Sequence, residues 1–329
     1  MEKIITWGII GCGNVTEMKS GPAFNKVPGS RLHAVMRRDA ALAEDYALRH
    51  GVPVWYSDAE ALLNDPAINA VYIATPPKFH EEYTIAALEK GKMVYVEKPV
   101  TTDVASSQRM MDAQDRCNGK VVVAHYRRAL PMFNHIRQLV EEQAVGRIKL
   151  IRLTMFKPND HVPANVQTAN WRVDPQLAGG GYFYDLAPHQ LDIIQYIFGS
   201  ALSYAGVAAN QSRLYPAEDA VSCLMQLPGD ILFQGDWNFS MPELLREDSC
   251  QLIGDNGYIQ FPFFGQEVRV VTASGVQHLP FQHPQHIQQP MIARVVDHFL
   301  GKSDNPCPLS DAIQSLDVME TCVYGVQEA

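Results

Sequence analysis

The chain has 329 residues, 47% of them apolar and 19% charged, and a formal net charge of −9 at pH 7. That length exceeds a single hydrophobic core and predicts two domains, while the composition excludes extended disorder. Lys and Arg cluster only in pairs such as Arg37-Arg38 and Arg127-Arg128, so the basic stripe of a nucleic-acid face is excluded too.

No apolar run reaches the ~20 residues of a membrane span. The N-terminal stretch MEKIITWGIIGCG reads as a strand and a turn without a signal-peptide cleavage site. We therefore expect a cytoplasmic protein with no membrane or nucleic-acid partner. Six cysteines, at 12, 117, 223, 250, 307 and 322, form no C-x-x-C pair, which argues for ordinary buried thiols rather than disulfides or a zinc knuckle.

From residue 4 to about 124, strands and helices alternate. IITWGII (4–10), LHAVM (32–36), VWY (54–56), AVYIA (70–74), MVYVE (93–97) and VVVAH (121–125) read as strands. Helical stretches separate them, from Asp39 to His50, in AEALLND, from 80 to a Gly91 cap, and from 104 to a second glycine stop at Gly119. Unbroken apolar strands spaced by helices predict a doubly wound parallel sheet, an α/β domain over residues 1–124.

Beyond residue 125 the rhythm changes. A helix over about 131–144 and the strand KLIRLTMF (149–156) precede a glycine-rich loop and an apolar helix. AVSCLMQL, DILFQGDWNF, SCQLIGDNGYIQF and EVRVVTASGVQHL follow, and Asp-Asn-Gly in the third suits a β-hairpin. Helices near 289–300 and 310–324 end the pattern. Residues 125–329 therefore read as an α+β substrate-binding domain with a mainly antiparallel open sheet.

GIIGCGNVTEM (8–18) lies between the first strand and the first helix. Gly11 and Gly13 there permit a tight turn and close backbone approach to a pyrophosphate. Thr16 replaces the third glycine of the fingerprint, so the helix must pack differently on the sheet. Strand 2 ends in Met36-Arg37-Arg38-Asp39. If it stops at Met36, Arg37 takes the place where an acidic residue would select NAD(H), and Arg38 is available to stack on adenine. Asp39 better suits a helix cap. NADP(H) is favoured over NAD(H).

In such a sheet, ligands bind beyond the carboxyl ends of the strands. ATPPKFH (74–80) follows strand 4, and VEKPV (96–100) brings Glu97 and Lys98 to the same rim. A cis bond before Pro99 is compatible with that turn but does not follow from sequence. In GGGYFYDLAPHQLDII (179–194), Asp185, His189 and Asp192 are spaced i, i+4 and i+7, which places them on one helix face. A helix beginning at Asp185, as cap or just inside, tolerates Pro188 in its first turn. A histidine satisfied by a capping Asp would explain a lone pair. Three preceding glycines and an ordinary pKa of ~6.5 point instead to acid–base work. One imidazole and no cysteine exclude zinc. His278, His283 and His286 fall in a Pro/Gln-rich stretch and read as surface residues.

Together GIIGCGNV, ATPPKFH, the EKP of 97–99, YRR (126–128), NWR (170–172) and GGGYFYDLAPHQLDII resemble, in order and over nearly the whole chain, the Gfo/Idh/MocA oxidoreductases, which include glucose–fructose oxidoreductase and inositol dehydrogenase. The resemblance implies hydride transfer between a nicotinamide and a hydroxyl or carbonyl carbon of a sugar, polyol or related cyclic alcohol. It implies Lys98, Asp185 and His189 as the catalytic group. It places Gly11, Gly13, Asn14, Val15, Arg37, Arg38, Thr75, His80 and Glu97 around the cofactor, and Tyr126, Arg127, Trp171, Arg172 and Asp192 around the substrate. Pro77 stands where many relatives carry Asn. The resemblance also implies a homodimer or homotetramer, built through the open sheet. Two other readings remain at this point: a dihydrodiol dehydrogenase-like enzyme on non-sugar rings, and a nucleotide-sensing regulator without turnover. Loss of the Lys98 or His189 residue types would favour the regulator, and both are present.

Overall fold

The computed structural model describes residues 3–158 and 170–325. Its first six strands are β1 (Ile5–Ile10), β2 (Ser30–Met36), β3 (Val54–Tyr56), β4 (Ala70–Ile73), β5 (Met93–Val96) and β6 (Val121–Val123). Between them run α1 (Asn14–Met18), α2 (Ala40–His50), α3 (Ala59–Asn64), α4 (His80–Glu89) and α5 (Val104–Arg116). All paired strands are parallel, in the order β3-β2-β1-β4-β5-β6. The order reverses beside β1, which opens the crevice for a dinucleotide. Every residue of β1, β4 and β6 is buried, as a sheet covered on both faces requires.

Local chemistry sets the helix starts. Asp39, Asp58 and Asp103 accept from the backbone N–H of Leu42, Ala61 and Ser106 and so cap α2, α3 and α5. The exit of α5 departs from expectation. Asn118, not Gly119, takes the left-handed conformation, at φ 47°. Gly119 serves packing instead, since a Cβ there would lie 2.3 Å from the Leu88 side chain.

The remaining elements are α6 (Pro131–Glu141), β7 (Ile148–Phe156), α7 (Pro175–Ala178), α8 (Tyr182–Phe198), β8 (Ser203–Ala209), β9 (Ala220–Leu227), β10 (Ile231–Asn238), β11 (Glu247–Gly254), β12 (Gly257–Phe261), β13 (Glu267–Thr272), β14 (Gly275–Pro280), α9 (Gln289–Phe299) and α10 (Leu309–Tyr324). The second sheet runs β14-β13-β12-β11-β7-β10-β9-β8. Only β7 and β10 pair in parallel; the other neighbours are antiparallel. Alternation along β9 and β10 buries Val221, Cys223, Met225, Phe233 and Trp237 on one face. The other face exposes Leu224 and Leu232, and Val207 of β8 is exposed beside them.

The chain divides into two compact units, residues 1–130 with 284–313 and residues 131–283 with 314–329. The contiguous second domain expected from residue 125 onward is thus interrupted. The reason is the free edge of β6. Asn305 Nδ2 donates to Val121 O at 2.8 Å, Val123 N donates to Cys307 O at 3.0 Å, and Lys120 Nζ donates to His298 O at 3.0 Å. A returning segment therefore satisfies an edge that would otherwise face solvent. Phe299 of α9 adds a ring contact to Trp7 at 5.6 Å.

His286 corrects a second expectation. It is 6% exposed, with Nδ1 2.7 Å from Met18 O and Nε2 2.7 Å from Lys26 Nζ. The ring donates through one nitrogen and accepts through the other, so it joins the return segment to the first unit. Of the other two, His278 is exposed on β14 and His283 is half-buried. Among the described residues, no helix is long and apolar enough to cross a membrane.

Candidate active site

The turn after β1 is tied to the end of β2, because Gly11 N and Cys12 N both donate to Met36 O, at 2.9 and 3.2 Å. Gly11 has φ +93°, and a Cβ on it would lie 2.9 Å from the Ala74 backbone. Gly13 differs: nothing but Gly11 O, at 3.9 Å, lies within 4 Å of its hypothetical Cβ. Gly11 is therefore glycine for the fold, and Gly13 keeps open space beside the start of α1. The first intrahelical bond there runs from Thr16 N to Gly13 O. The amides of Asn14 and Val15 have no acceptor inside the helix and suit a pyrophosphate. Thr16 folds its hydroxyl onto Gly13 O, and its own carbonyl accepts from Tyr46 Oη, both at 2.8 Å. That is how the helix packs without the third glycine.

Two glycine substitutions separate these roles. Gly11→Ala should cost at least about 2 kcal/mol of stability, from the left-handed backbone and the clash together, read by chemical denaturation. Gly13→Ala should leave the denaturation midpoint unchanged and weaken dinucleotide binding severalfold, read by fluorescence titration.

β2 ends at Met36, as the cofactor reading requires. Arg37 Nη1 reaches Cys12 O at 3.4 Å, so the guanidinium lies against the glycine turn. Arg38 is exposed and lies over the Phe79 ring, 5.5 Å from its centroid. Asp39 is spent as the α2 cap. After β4, Thr75 keeps a buried hydroxyl that has no hydrogen-bond partner among the described residues, a group that fits a bound cofactor.

His80 and Glu97, expected beside the cofactor, are both buried and brace the loops at this rim. His80 is fully buried, with Nδ1 3.0 Å from Pro99 O and Nε2 2.8 Å from Thr75 O. Burial holds its pKa below the ordinary histidine value. The ring therefore braces the loop after β4 against the loop after β5. Glu97 is 6% exposed and accepts from Tyr72 Oη at 2.5 Å and from Gln288 Nε2 at 2.6 Å. Burial, reinforced by the Glu97 charge, pushes the Tyr72 phenol well above its ordinary pKa. It stays protonated and donates. Lys98 follows at the rim, half-buried, with its backbone N–H donating to Glu97 Oε2 and a cis bond to Pro99. Tyr126 and Arg127 belong to the same unit. Both are buried, with the guanidinium over the phenol ring at 5.4 Å.

The second unit carries the histidine helix. α8 begins at Tyr182 with Gly181 as cap, three residues before the expected start. Asp185 still falls in the first turn, but Pro188 lies inside the helix. The glycines explain the early start. A Cβ at Gly180 would lie 2.3 Å from the Tyr184 ring, and one at Gly181 2.8 Å from Glu218 O. Trp237 pins the helix to the sheet, stacking edge-on against Phe183 at 5.0 Å and donating to Gln190 Oε1 at 2.6 Å. His189 is 5% exposed and meets the Phe264 ring edge-on at 6.0 Å. Asp192 is 1% exposed.

A cleft of about 370 Å³ opens beside the first turn of α8, lined by Lys157, Pro158, Asn170, Arg172, Tyr182, Asp185, Leu186 and Phe239. Arg172 Nε pairs with Asp185 Oδ2 at 3.2 Å, and its guanidinium lies 4.5 Å over Trp171. Asn170 Nδ2 donates to Tyr182 Oη at 2.9 Å. The expected Trp171, Arg172 and Asp185 are thus brought together. Lys157, Tyr182 and Phe239 were not anticipated. Tyr182 stands three residues before Asp185 and so shares its face, which was a readable signal; Lys157 is an unremarkable basic residue after a strand.

A doubly wound sheet with an open glycine turn is a dinucleotide-binding architecture, and the second unit carries a cleft of mixed polarity on the helix that holds the buried His189. Residues 5–125 match the oxidoreductase family model with an NAD-binding Rossmann fold, and residues 133–260 match the GFO/IDH/MocA C-terminal domain. The chain is 39% identical to Oxidoreductase P35 of Formosa agariphila, over 97% of this chain and 98% of that protein. It is 24% identical to the trans-1,2-dihydrobenzene-1,2-diol dehydrogenase of Xenopus laevis, over 87% and 83% of the two chains. An aldose–aldose oxidoreductase from Caulobacter crescentus, solved with glycerol, shares the fold at a TM-score of 0.84 and 20% identity, over 97% and 96%. The chain belongs to the Gfo/Idh/MocA oxidoreductase family.

Proposed function

We propose that this oxidoreductase moves a hydride between NADP(H) and a hydroxyl or carbonyl carbon of a sugar, polyol or related cyclic alcohol, with Lys98, Asp185 and His189 carrying the chemistry. The observation behind this reading is the cleft at the start of α8, where Asp185 lines the wall one turn before the buried His189. A bound nicotinamide supplies the hydride acceptor or donor at C4. In oxidation, His189 takes the proton of the substrate hydroxyl, and in reduction it returns that proton. Lys98 places positive charge at the reacting oxygen and stabilises its alkoxide character. Asp185 sets the imidazole from the preceding turn, and Arg172 holds Asp185 by the ion pair at 3.2 Å.

The preference for NADP(H) rests on Arg37, which follows β2 directly and reaches over the glycine turn. Arg37→Asp should weaken NADPH roughly 10- to 100-fold by removing a charged hydrogen bond to the 2′-phosphate, and should leave NADH binding equal or better. Nicotinamide fluorescence titration reads both. Equal affinities in the wild type would move the assignment to NAD(H). The aromatic walls, Trp171, Tyr182 and Phe239, support a second reading in which the substrate is a non-sugar cyclic diol; turnover of such diols but not of polyols would select it.

A further inference from the structure

Building on that functional reading, we infer that the substrate carries a carboxylate, which pairs with the ammonium of Lys157 at the wall of the cleft, beside the ring that His189 also meets. Lys157 follows β7 and is held at its backbone. Its N–H donates to Asn238 O at 2.8 Å, and its carbonyl accepts from Met241 N at 3.2 Å. The ammonium lies over the Phe264 ring, 5.5 Å from the centroid, while the His189 ring meets the same Phe264 at 6.0 Å. Phe264 is itself fixed from behind. The carboxylate of Asp248 accepts from the backbone N–H of both Phe263 and Phe264, at 2.9 and 2.7 Å. Lys157 and His189 thus both meet the side chain of one residue whose backbone is held.

Charge decides what occupies the cleft. Its two cations are not equivalent. Arg172 is neutralised by Asp185 and stacked on Trp171. Among the described residues, Lys157 has no carboxylate partner, only the face of Phe264. In a chain of net charge −9, this is a local positive site at the wall of a substrate-sized cleft. A hydroxyl of a neutral ligand returns a hydrogen bond for the water it strips from the ammonium, whereas a carboxylate returns a hydrogen bond together with an opposite charge. A single ammonium without a carboxylate partner among the described residues matches a monoanion better than a phosphate, which carries nearly two charges at neutral pH. The substrate class is therefore a polyhydroxylated ring bearing a carboxylate, such as a hexuronate.

The test compares kcat/KM for hexuronates, the corresponding neutral hexoses and hexose 6-phosphates, in the wild type, Lys157→Met and Lys157→Arg, with thermal melts by circular dichroism confirming that each variant is folded. The wild type should prefer uronate over hexose about 10- to 100-fold. Lys157→Met should collapse that ratio through KM, and Lys157→Arg should restore most of it. A wild type without the preference, a ratio unmoved by Lys157→Met, or a preference for the phosphates would overturn the inference. If NADPH binds and none of these compounds turns over, the functional reading fails first. Calorimetry on NADP+-saturated protein then decides the inference separately: uronate binding weakened by Lys157→Met sustains it, and no uronate binding ends it.

Discussion

Replacing His189 by alanine should lower kcat about 10²- to 10⁴-fold, the usual contribution of a positioned general acid–base group, while NADPH affinity stays within a few fold of wild type. His189 belongs to α8 in the second unit and the glycine turn to the first, so proton transfer and cofactor binding are separable readouts. His189 is 5% exposed against Phe264, so its truncation also opens a small cavity. His189→Gln, closer in volume, controls for that. If both variants lose turnover together and melt with the wild type, the loss is chemical. Undiminished turnover of an identified substrate by His189→Ala would remove the imidazole from the mechanism.

Lys98→Ala should cost about 10²- to 10³-fold in kcat, the typical loss when one preorganised group at a developing oxyanion is removed. Its support makes this test clean. The Lys98 backbone is held by Glu97, Glu97 is held by Tyr72 and Gln288, and the Pro99 carbonyl faces His80. These bonds run through the backbone and neighbouring side chains, and a thermal melt of the variant checks that the loop keeps its shape. A Lys98→Ala enzyme with normal kcat and a raised KM would show that the ammonium binds substrate without acting on the transition state.

The strand–turn–helix alternation, the glycine turn and the Asp39 cap were legible in the sequence because each depends on residues close in the chain. Asp39 could be separated from Arg37 as a cap before any coordinates, since capping is a relation over three residues. The Asp-Asn-Gly hairpin between β11 and β12 was readable for the same reason. β8 was missed. Its seven residues, SYAGVAA, form an edge strand without one buried position, so no apolar alternation marked it. The start of α8 was placed three residues late, because the glycines at 180 and 181 read as loop while their actual role is clearance for Tyr184 and Glu218.

By itself, the sequence determined the class of fold, the dinucleotide turn and the helix that carries Asp185 and His189, all from local periodicity, backbone freedom and spacing. Tertiary structure alone decided the rest. It covered the β6 edge with a segment some 180 residues away, turned His80 and Glu97 into buried braces, and stacked Lys157 on Phe264. The physical reason is common to all of these. Burial of a polar group and the pairing of a charge are properties of what the folded chain brings alongside, and no spacing along the chain encodes them.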